Sequence, residues 1–460
     1  MNRRDYNRRQ FLQRSCAAAL AGFAAPSLIP CSVLGRDGNV APSERIAVAM
    51  LGTGRQAYLV NLDRQLLDMP DVQVVALCDV DRWRVNETKA LVERRYADRK
   101  TSGTYHGCDT CSDYREVLRR ADVDAVMISA PDHWHAPMAI AAAEAGKHVS
   151  LEKPITRTIA EGQAIMAAMR KNQRVFRMDS EMRSETWLHR MVEIVRNGGV
   201  GKITAVRVGV PAGDDVACPS TPPMPVPEDL DYDMWLGPAA QKPYTQERVH
   251  PPREFGRPGW MRVLDYCDGM ITNWGTHFWD IAQWCLDAER TGPVEIEGHG
   301  VWPPADQLWN VLKRFEVTYR MADGTVLYYE NTRNAGITGA PGECSAYVKI
   351  EGTTGWIVGS YAPHQLLAEP ASLLERELTT ADLRFPLKSD KQDFIDAIKT
   401  GGRTLEDEEV AHRTTSLCHL GHIAIHLRQR LQWNPQQEAF IGNDSANAYL
   451  AQPILTLPAS

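Results

Sequence analysis

The sequence predicts an α/β protein of two domains. In residues 44–171, short apolar runs alternate with helix-forming stretches, which is typical of a parallel sheet with crossover helices. In residues 172–460, apolar strands follow one another with turns between them, which indicates a second α/β domain with a large, mainly antiparallel open sheet. Residues 1–43 have the pattern of an export signal and linker. Whether the C-terminal segment packs back on the first domain is left open by the sequence.

The centre of the predicted parallel sheet is the stretch 123–154. Residues 126–128 suit a strand buried on both faces, 138–145 are good helix formers, and 148–151 form the next strand. Pro154 keeps Lys153 out of the helical region and so fixes this lysine at a corner. Because ligands bind outside the carboxyl ends of parallel strands, the polar residues there lie on the functional edge. These residues are Asp132, His133, His135, Glu152 and Lys153. The alternative is an ordinary loop with a solvated lysine.

Length and charge limit the class of protein. The chain has 460 residues, of which 43% are hydrophobic, so it is long enough for two domains and too polar for a protein of many membrane spans. Its formal net charge of −7 argues against a nucleic-acid partner.

The N-terminus resembles a twin-arginine export signal. Residues 7–13 read NRRQFLQ, and the apolar run 16–29 that follows is too short to span a bilayer. We therefore expect the twin-arginine translocation machinery as a partner and a periplasmic or otherwise exported location. A basic tail before a chance apolar run is the alternative, and the cleavage site is left open.

Ten cysteines provide one close pair, Cys108 and Cys111. A zinc site would need a second pair at a matching spacing, so no metal is predicted. A loop disulfide and two unrelated thiols both remain open.

A glycine-rich turn predicts a dinucleotide site. The strand 45–51 runs into the pattern G-x-G-x-x-A, in which Gly52 permits a tight turn, Gly54 admits a pyrophosphate to the backbone and Ala57 lets the helix pack on the strand. The turn residues expected to contact the cofactor are Gly52, Thr53, Gly54, Arg55 and Gln56.

The second strand, 72–78, indicates which dinucleotide binds. It ends at Asp79, where a carboxylate would accept hydrogen bonds from the ribose diol and repel a 2′-phosphate. This favours NAD over NADP, although Arg82 and Arg84 nearby oppose the preference.

Together these motifs resemble the Gfo/Idh/MocA superfamily, which includes glucose-fructose oxidoreductase and inositol dehydrogenase. The resemblance covers the chain from Glu44 and rests on residues 52–57, 130–135 and 145–149 and on the E-K-P motif 152–154. It implies an N-terminal Rossmann domain, a homo-oligomer (dimer or tetramer), and a lysine, Lys153, against the nicotinamide and the substrate hydroxyl. It also implies a cis bond before Pro154. The further cofactor contacts it implies are Ala130, Pro131, His133, His135 and Glu152.

A second motif, residues 268–280, supplies the predicted proton acceptor. In relatives an aspartate four residues before a histidine acts with it on the substrate carbinol, which points to His277 here. The earlier position is Asn273, an amide that can orient a hydroxyl but cannot hold a charge, and this departure weakens the case for ordinary polyol dehydrogenase chemistry. Asp280 could supply part of the missing role, or serve as a cap or salt-bridge partner. Arg183 resembles a substrate-contacting arginine of sugar-acting members, with a surface ion pair as the alternative.

Two further stretches have alternative interpretations. The proline-rich and aromatic segment 210–259 is either a lid over a sugar or an insertion with its own small core. A helix expected over 406–431 carries His419, His422 and His426 on one face, but its leucines mark it as packed in the core, so a metal there is disfavoured.

Three functions fit these observations. The first is an NAD-dependent oxidoreductase that acts on a sugar, polyol or glycoside by hydride transfer, with NAD tightly held. The second is a redox-neutral enzyme that cleaves glycosides by oxidation, elimination and re-reduction. The third is a catalytically silent, NAD-containing sugar binder.

Overall fold

The computed structural model describes residues 40–213, 215–331 and 344–458. The predicted export signal lies within residues 1–39, outside the described residues. The apolar strands of the sequence form two sheets, one for each domain. No helix within the described residues has the length and apolar character needed to cross a membrane.

The first domain is built on a parallel sheet. Its central strands β1 (Ile46–Leu51) and β4 (Ala125–Ile128) are apolar runs, as expected for strands buried in a parallel sheet. In the described part of the chain it has six strands in the order β3-β2-β1-β4-β5-β6, so the order reverses between β1 and β4 and opens a crevice there. The strands are β1 (Ile46–Leu51), β2 (Val72–Cys78), β3 (Asp109–Cys111), β4 (Ala125–Ile128), β5 (His148–Glu152) and β6 (Phe176–Asp179).

The crossover helices of this domain begin at polar caps. Thr158 and Glu161 form a reciprocal capping box at the start of α5, and Asp81 accepts the backbone N–H of Arg84 at the start of α1. The helix predicted over 138–145 begins earlier, directly after extended Pro131. The helices are a π-helix (Ala57–Gln65), α1 (Arg82–Arg95), α2 (Ala97–Thr101), α3 (Tyr114–Leu118), α4 (Asp132–Glu144) and α5 (Ile159–Asn172).

The second domain is built on a nine-stranded sheet, counted over the described residues. Strands β7 and β10 pair in parallel and the other neighbours are antiparallel, which confirms the predicted mainly antiparallel sheet. Its order is β13-β12-β11-β7-β10-β9-β8-β14-β15. The strands are β7 (Ile203–Val210), β8 (Glu295–Val301), β9 (Arg314–Arg320), β10 (Val326–Asn331), β11 (Ala346–Gly352), β12 (Gly355–Tyr361), β13 (Gln365–Glu369), β14 (Leu431–Asn434) and β15 (Ala439–Phe440).

Two long helices of the second domain, α9 and α11, carry much of its buried core. Trp279 and Trp284 of α9 are fully buried in it. The predicted end of α11 at residue 431 was wrong, because Arg428 adopts a left-handed backbone and ends the helix, and Leu431 lies in β14. The helices are α6 (Thr186–Arg196), α7 (Tyr232–Leu236), α8 (Met270–Asn273), α9 (Gly275–Leu286), α10 (Asp390–Thr400), α11 (Glu408–Leu427) and α12 (Asp444–Ala448).

The two domains do not divide at residue 171. Strand β6 lies after that point and belongs to the first sheet, since a strand pairs with its neighbours whatever its place in the chain. Helix α10 packs back on the same sheet: Phe394 and Ile395 enter the core of the first domain, and Asp393 forms an ion pair with Arg177 at 2.5 Å.

The segment between β7 and α8 has a core of its own. Trp235, Leu236 and Tyr266 are buried in it, with Tyr232 stacked on Trp235. The alternative of an insertion with its own small core is therefore confirmed. The segment also supplies wall residues to the cavity described below, and the lid over a sugar stays a prediction.

Candidate active site

A cavity of about 660 Å³ is lined by both domains and by the insertion. The first domain contributes the glycine turn, the ends of β2 and β4 and the E-K-P turn. The second contributes the segment that carries Asn273 and His277. Lys153 and His277, expected at the nicotinamide end, therefore open on the same space as Gly54 and Asp79, expected to meet the phosphates and ribose.

The glycine turn fits a pyrophosphate. Gly52 has φ +88°, and a Cβ there would lie 2.5 Å from the carbonyl oxygen of Ser129. A Cβ at Gly54 would meet no atom within 4 Å, so its backbone is open to a ligand. Gly54, Arg55 and Gln56 line the cavity, whereas Thr53 is buried beneath it.

Asp79 is held in place for a ribose. Its carboxylate accepts the Thr53 N–H at 2.6 Å, the Thr53 hydroxyl at 2.9 Å and the Asp81 N–H at 2.9 Å, and it lines the cavity. The two arginines that could have bound a 2′-phosphate are engaged by other groups of the protein, although Arg84 lines the cavity. Arg84 donates to the carbonyls of Pro251 and Glu254, and Arg82 pairs with Asp229. The site thus fits NAD. From the sequence alone, the two arginines had opposed the preference for NAD over NADP.

Residues 249–258 of the insertion, which we call the strap, cross from the second domain to the nucleotide half of the cavity. Phe255 stacks on Tyr58 of the π-helix, with ring centroids 4.1 Å apart. His250 lies 3.0 Å from the Asp81 carboxylate, and Gly256 and Pro258 line the cavity. The strap is thus fixed to the first domain at two points and forms part of the cavity wall.

The two histidines after β4 have different surroundings. His135 lines the cavity, with one ring nitrogen 2.7 Å from the Pro154 carbonyl oxygen and the other 2.8 Å from that of Ala130, and so ties the two turns together. His133 lies behind the wall, 3.0 Å from the Trp235 carbonyl oxygen, and burial lowers its pKa to about 3. The cofactor contact predicted for His133 is therefore corrected: it positions Trp235, which does line the cavity together with Pro131.

The E-K-P turn presents its lysine to the cavity. The Lys153–Pro154 bond is cis, as the resemblance implied. Lys153 Nζ donates to the backbone carbonyl of Asn273 at 3.0 Å, and Glu152 accepts a hydrogen bond from Asn61 at 2.9 Å. All three predicted residues, Glu152, Lys153 and Asn273, line the cavity.

His277 has the protonation pattern of a base. Its Nδ1 lies 2.5 Å from the carbonyl oxygen of Ser180, an acceptor, so Nδ1 carries the hydrogen and Nε2 keeps its lone pair. Burial, and secondly the charge of Lys153, hold the pKa of His277 well below its usual value. At neutral pH the ring is therefore uncharged and able to accept a proton.

Arg183 does not reach the cavity. Its guanidinium is fully buried and donates twice to Asp280, at 2.8 and 2.7 Å, and also pairs with Glu289 at 2.7 Å. The predicted substrate contact of Arg183 is thus corrected, because the planar fork is saturated by carboxylates. Asp280, similarly, is the salt-bridge partner and does not support His277.

Several cavity residues had little or no signal in the sequence. Trp274 stood inside the second motif, and its ring meets that of Tyr361 edge to face at 5.5 Å. Tyr361 ends β12 and Glu181 follows β6, far from both motifs in the chain. Their position in the cavity wall depends on sheet topology, which no local sequence pattern indicates.

The remaining histidine and cysteine patterns have other surroundings. His422 Nδ1 lies 3.6 Å from Asp268, and His419 faces the Thr156 carbonyl at 3.1 Å. No arrangement of three or more metal-ligating side chains occurs among the residues that the structure describes. Cys111 pairs in register with Cys78 of the neighbouring strand, and a hydrogen bond between the two thiols raises the pKa of Cys78.

The fold and this cavity define a two-domain oxidoreductase with a Rossmann nucleotide-binding half. The chain belongs to the Gfo/Idh/MocA oxidoreductase family. The family's NAD-binding Rossmann fold matches residues 46–180, and its C-terminal alpha/beta domain matches residues 194–457.

Curated relatives resemble part of the chain. A glycosyl hydrolase family 109 protein of Shewanella sp. (strain ANA-3) is 28% identical, and an alpha-N-acetylgalactosaminidase of Shewanella oneidensis is 29% identical, each over 211 residues. These matches cover 43% of this chain and 44% of each relative. The chain thus spans less than half the length of the curated relatives it matches.

Solved structures share the whole fold at low identity. Levoglucosan dehydrogenase, in complex with NADH and levoglucosan, has a TM-score of 0.57 at 20% identity, covering 84% of this chain and 99% of that one. An aldose-aldose oxidoreductase of Caulobacter crescentus has a TM-score of 0.55 at 16% identity, with the same two coverages.

Proposed function

We propose that this protein is an NAD-dependent oxidoreductase that acts on a carbinol carbon of a sugar, polyol or glycoside, with its NAD tightly held. The observation that carries the proposal is that Lys153 and His277 line one cavity with Gly54 and Asp79. Proton-handling groups and nucleotide-binding groups thus share a site, as hydride chemistry requires.

Each residue has a distinct task. Bound NAD would supply the acceptor for a hydride from the carbinol carbon and the donor that returns it. Neutral His277, with Nε2 free, takes the hydroxyl proton. Lys153, held by the Asn273 carbonyl, donates to the substrate oxygen and orients it. The Asn273 side chain orients the substrate hydroxyl without adding charge.

A carbohydrate is the proposed substrate class. Trp274 and Tyr361 give the cavity aromatic faces of the kind that pack on the C–H face of a sugar ring, beside the hydrogen-bonding groups of Lys153 and Asn273. Two structural neighbours, a levoglucosan dehydrogenase in complex with levoglucosan and an aldose-aldose oxidoreductase, support the same class.

A second candidate is redox-neutral cleavage of a glycoside. It is favoured by the curated relatives, which carry glycosidase names although they share sequence with an oxidoreductase fold. The strap favours it as well, since a cofactor that leaves slowly has to be restored in place. A silent sugar-binding protein is the third possibility, and the presence of both Lys153 and His277 argues against it.

Export by the twin-arginine route is proposed for the whole chain, on the strength of residues 7–13. That route carries folded proteins, so NAD would be acquired inside and carried out in the complex. Assembly as a dimer or tetramer is proposed from the family resemblance.

One experiment separates the three candidates. Full-length protein purified without added nucleotide is mixed with a panel of sugars, polyols and glycosides, while nicotinamide absorbance and released sugar are followed together. Absorbance change without release indicates an oxidoreductase, and release without net absorbance change indicates redox-neutral cleavage. Binding with neither signal would leave only the silent binder.

A further inference from the structure

Glu181 stands out in the cavity wall by its backbone. It has φ +65°, a left-handed conformation that non-glycine residues rarely adopt. Of the seven non-glycine residues with positive φ among those described, it is the one that lines the cavity. Strained backbone persists where the surrounding structure fixes it, and it concentrates at functional sites.

The neighbours of Glu181 hold it rigidly. Ser180, just before it, accepts a hydrogen bond from His277 through its carbonyl and donates its own hydroxyl to Glu406. Met182 and Arg183, just after it, are buried. The same short segment therefore fixes both the His277 ring and the position of the Glu181 carboxyl.

The Glu181 carboxyl itself is not committed to the protein. Its Oε1 is buried without a hydrogen-bond partner, although the residue lines the cavity. A buried carboxyl oxygen without a partner is costly, so such a group points to a ligand or to chemistry.

Burial and the charges that face Glu181 bring the pKa of its carboxyl close to neutral pH. Burial, followed by the carboxylates of Glu152 and Asp390, raises its pKa to about 7, against the opposing charges of Lys391 and Lys153. Lys391 is itself engaged by Asp179 and Asp390. Glu181 can thus both accept and return a proton near neutral pH.

We propose that Glu181 is a further acid–base residue of this site, which removes and returns the proton on the ring carbon between the oxidised carbon and the anomeric carbon of a glycoside. The proposal rests on the second candidate of the proposed function, redox-neutral cleavage. A second base is needed because, once His277 has taken the hydroxyl proton, neither it nor the donor Lys153 can accept the proton from carbon.

The proton and electron balance closes. Once the carbinol has become a carbonyl, Glu181 takes the C–H proton, the C–H electron pair forms a C=C bond, and the glycosidic C–O bond breaks. The leaving oxygen takes the proton that His277 had accepted from the hydroxyl. Water then adds to the anomeric carbon, giving its proton to His277, and Glu181 returns its proton to carbon. The carbonyl carbon would then take back the hydride from bound NADH, and His277 would return its proton to the oxygen, so that the net reaction is hydrolysis.

The test uses Glu181→Gln in the full chain with its bound nucleotide, in D₂O, with the glycoside panel. We expect nicotinamide reduction to remain within about threefold of wild type, while deuterium incorporation at carbon and sugar release fall by about 100-fold or more. The matched control is Glu185→Gln, a half-buried glutamate outside the cavity wall, which should behave as wild type.

Each outcome bears on the proposal. Deuterium exchange at the wild-type rate in Glu181→Gln overturns the proposal. An equal loss of nicotinamide reduction and of deuterium exchange also overturns it. If Glu181→Gln does not fold, Glu181→Asp and Glu181→Asn replace it, since both tolerate the left-handed backbone and only the first keeps the carboxyl. Equal deuterium exchange in Glu181→Asp and Glu181→Asn also overturns the proposal. If wild type shows neither an absorbance change nor released sugar with any compound, the proposed function fails and this proposal falls with it. If the absorbance changes but exchange is independent of Glu181, only this proposal falls.

Discussion

Lys153 Nζ donates a hydrogen bond to the backbone carbonyl of Asn273, 3.0 Å away, and so joins the two domains at the candidate active site. The lysine belongs to the turn after β5 of the first sheet, and the carbonyl ends α8 of the second domain, four residues before His277. The two proton-handling groups are therefore positioned relative to each other by one contact across the domain boundary.

Removing the lysine should abolish turnover and leave the cofactor bound. In Lys153→Ala the substrate oxygen loses its donor, whereas the nucleotide still rests on the glycine turn and Asp79. We expect turnover to fall by about 100-fold or more, with bound NAD(H), measured after denaturation, equal to wild type. Exposed Lys171→Ala is the control. Loss of nucleotide with normal turnover in added NAD would contradict the assigned role.

Restoring a carboxylate beside the base should change the pH profile. Burial and Lys153 lower the pKa of His277, and Asn273→Asp would oppose both by stabilising the imidazolium. Since the neutral ring is the active form, the limb on which activity rises with pH should move upward, by roughly one pH unit. The pH dependence of kcat/KM measures this, with exposed Asn86→Asp as the control. An unchanged profile in a folded variant would mean that the two side chains do not couple.

Protein purified without added nucleotide should contain about one NAD(H) per chain after exhaustive dialysis. Free dinucleotide is not expected outside the cytoplasm, so an exported enzyme has to carry its cofactor and regenerate it in place. The net reaction should then be redox-neutral, either with a second carbonyl substrate or by return of the hydride to the first. Activity that requires stoichiometric added NAD, with none released on denaturation, would identify a conventional dehydrogenase instead.

The strap should control how fast that cofactor leaves. Phe255→Ala removes the ring that stacks on Tyr58, a contact of about 1 kcal/mol, and should speed NAD loss by roughly fivefold. Nucleotide retained on the protein during timed gel filtration is the measurement. Phe385→Ala, a half-buried ring that packs on Trp284 away from the cavity, is the matched control. Equal loss from both variants would show that the strap does not retain the cofactor.

Arg183 should affect stability and not substrate affinity. Arg183→Ala leaves the Asp280 carboxylate buried without its partner, at a cost of about 3–5 kcal/mol in the free energy of unfolding. Replacing both residues by apolar ones, in Arg183→Met with Asp280→Leu, should recover most of the loss. Denaturant titration measures both effects. A raised KM in a stable Arg183→Ala variant would restore the substrate contact suggested by sequence.

The sequence by itself determined the features that lie within a few residues of one another. Residues 52–57 form a tight turn and begin a helix because of their own backbone preferences. The E-K-P motif fixes its lysine through the proline that follows. Periodicity likewise predicted the strand at residues 72–78, which is observed as β2. These features depend on local backbone preference and on burial patterns, which neighbouring residues set.

Tertiary structure alone decided which of several equal candidates reached the cavity. His133 and His135 stand two positions apart on α4, and residues so spaced point in nearly opposite directions, so one meets Trp235 and the other the cavity. Glu181 and Arg183 are also two apart, but Glu181 itself has a left-handed backbone and a tight turn begins directly after it, so the carboxyl enters the cavity and the guanidinium the core. Side-chain direction at such turns is set by distant partners, here the helix that carries Asp280 and His277, and those partners are not neighbours in the sequence.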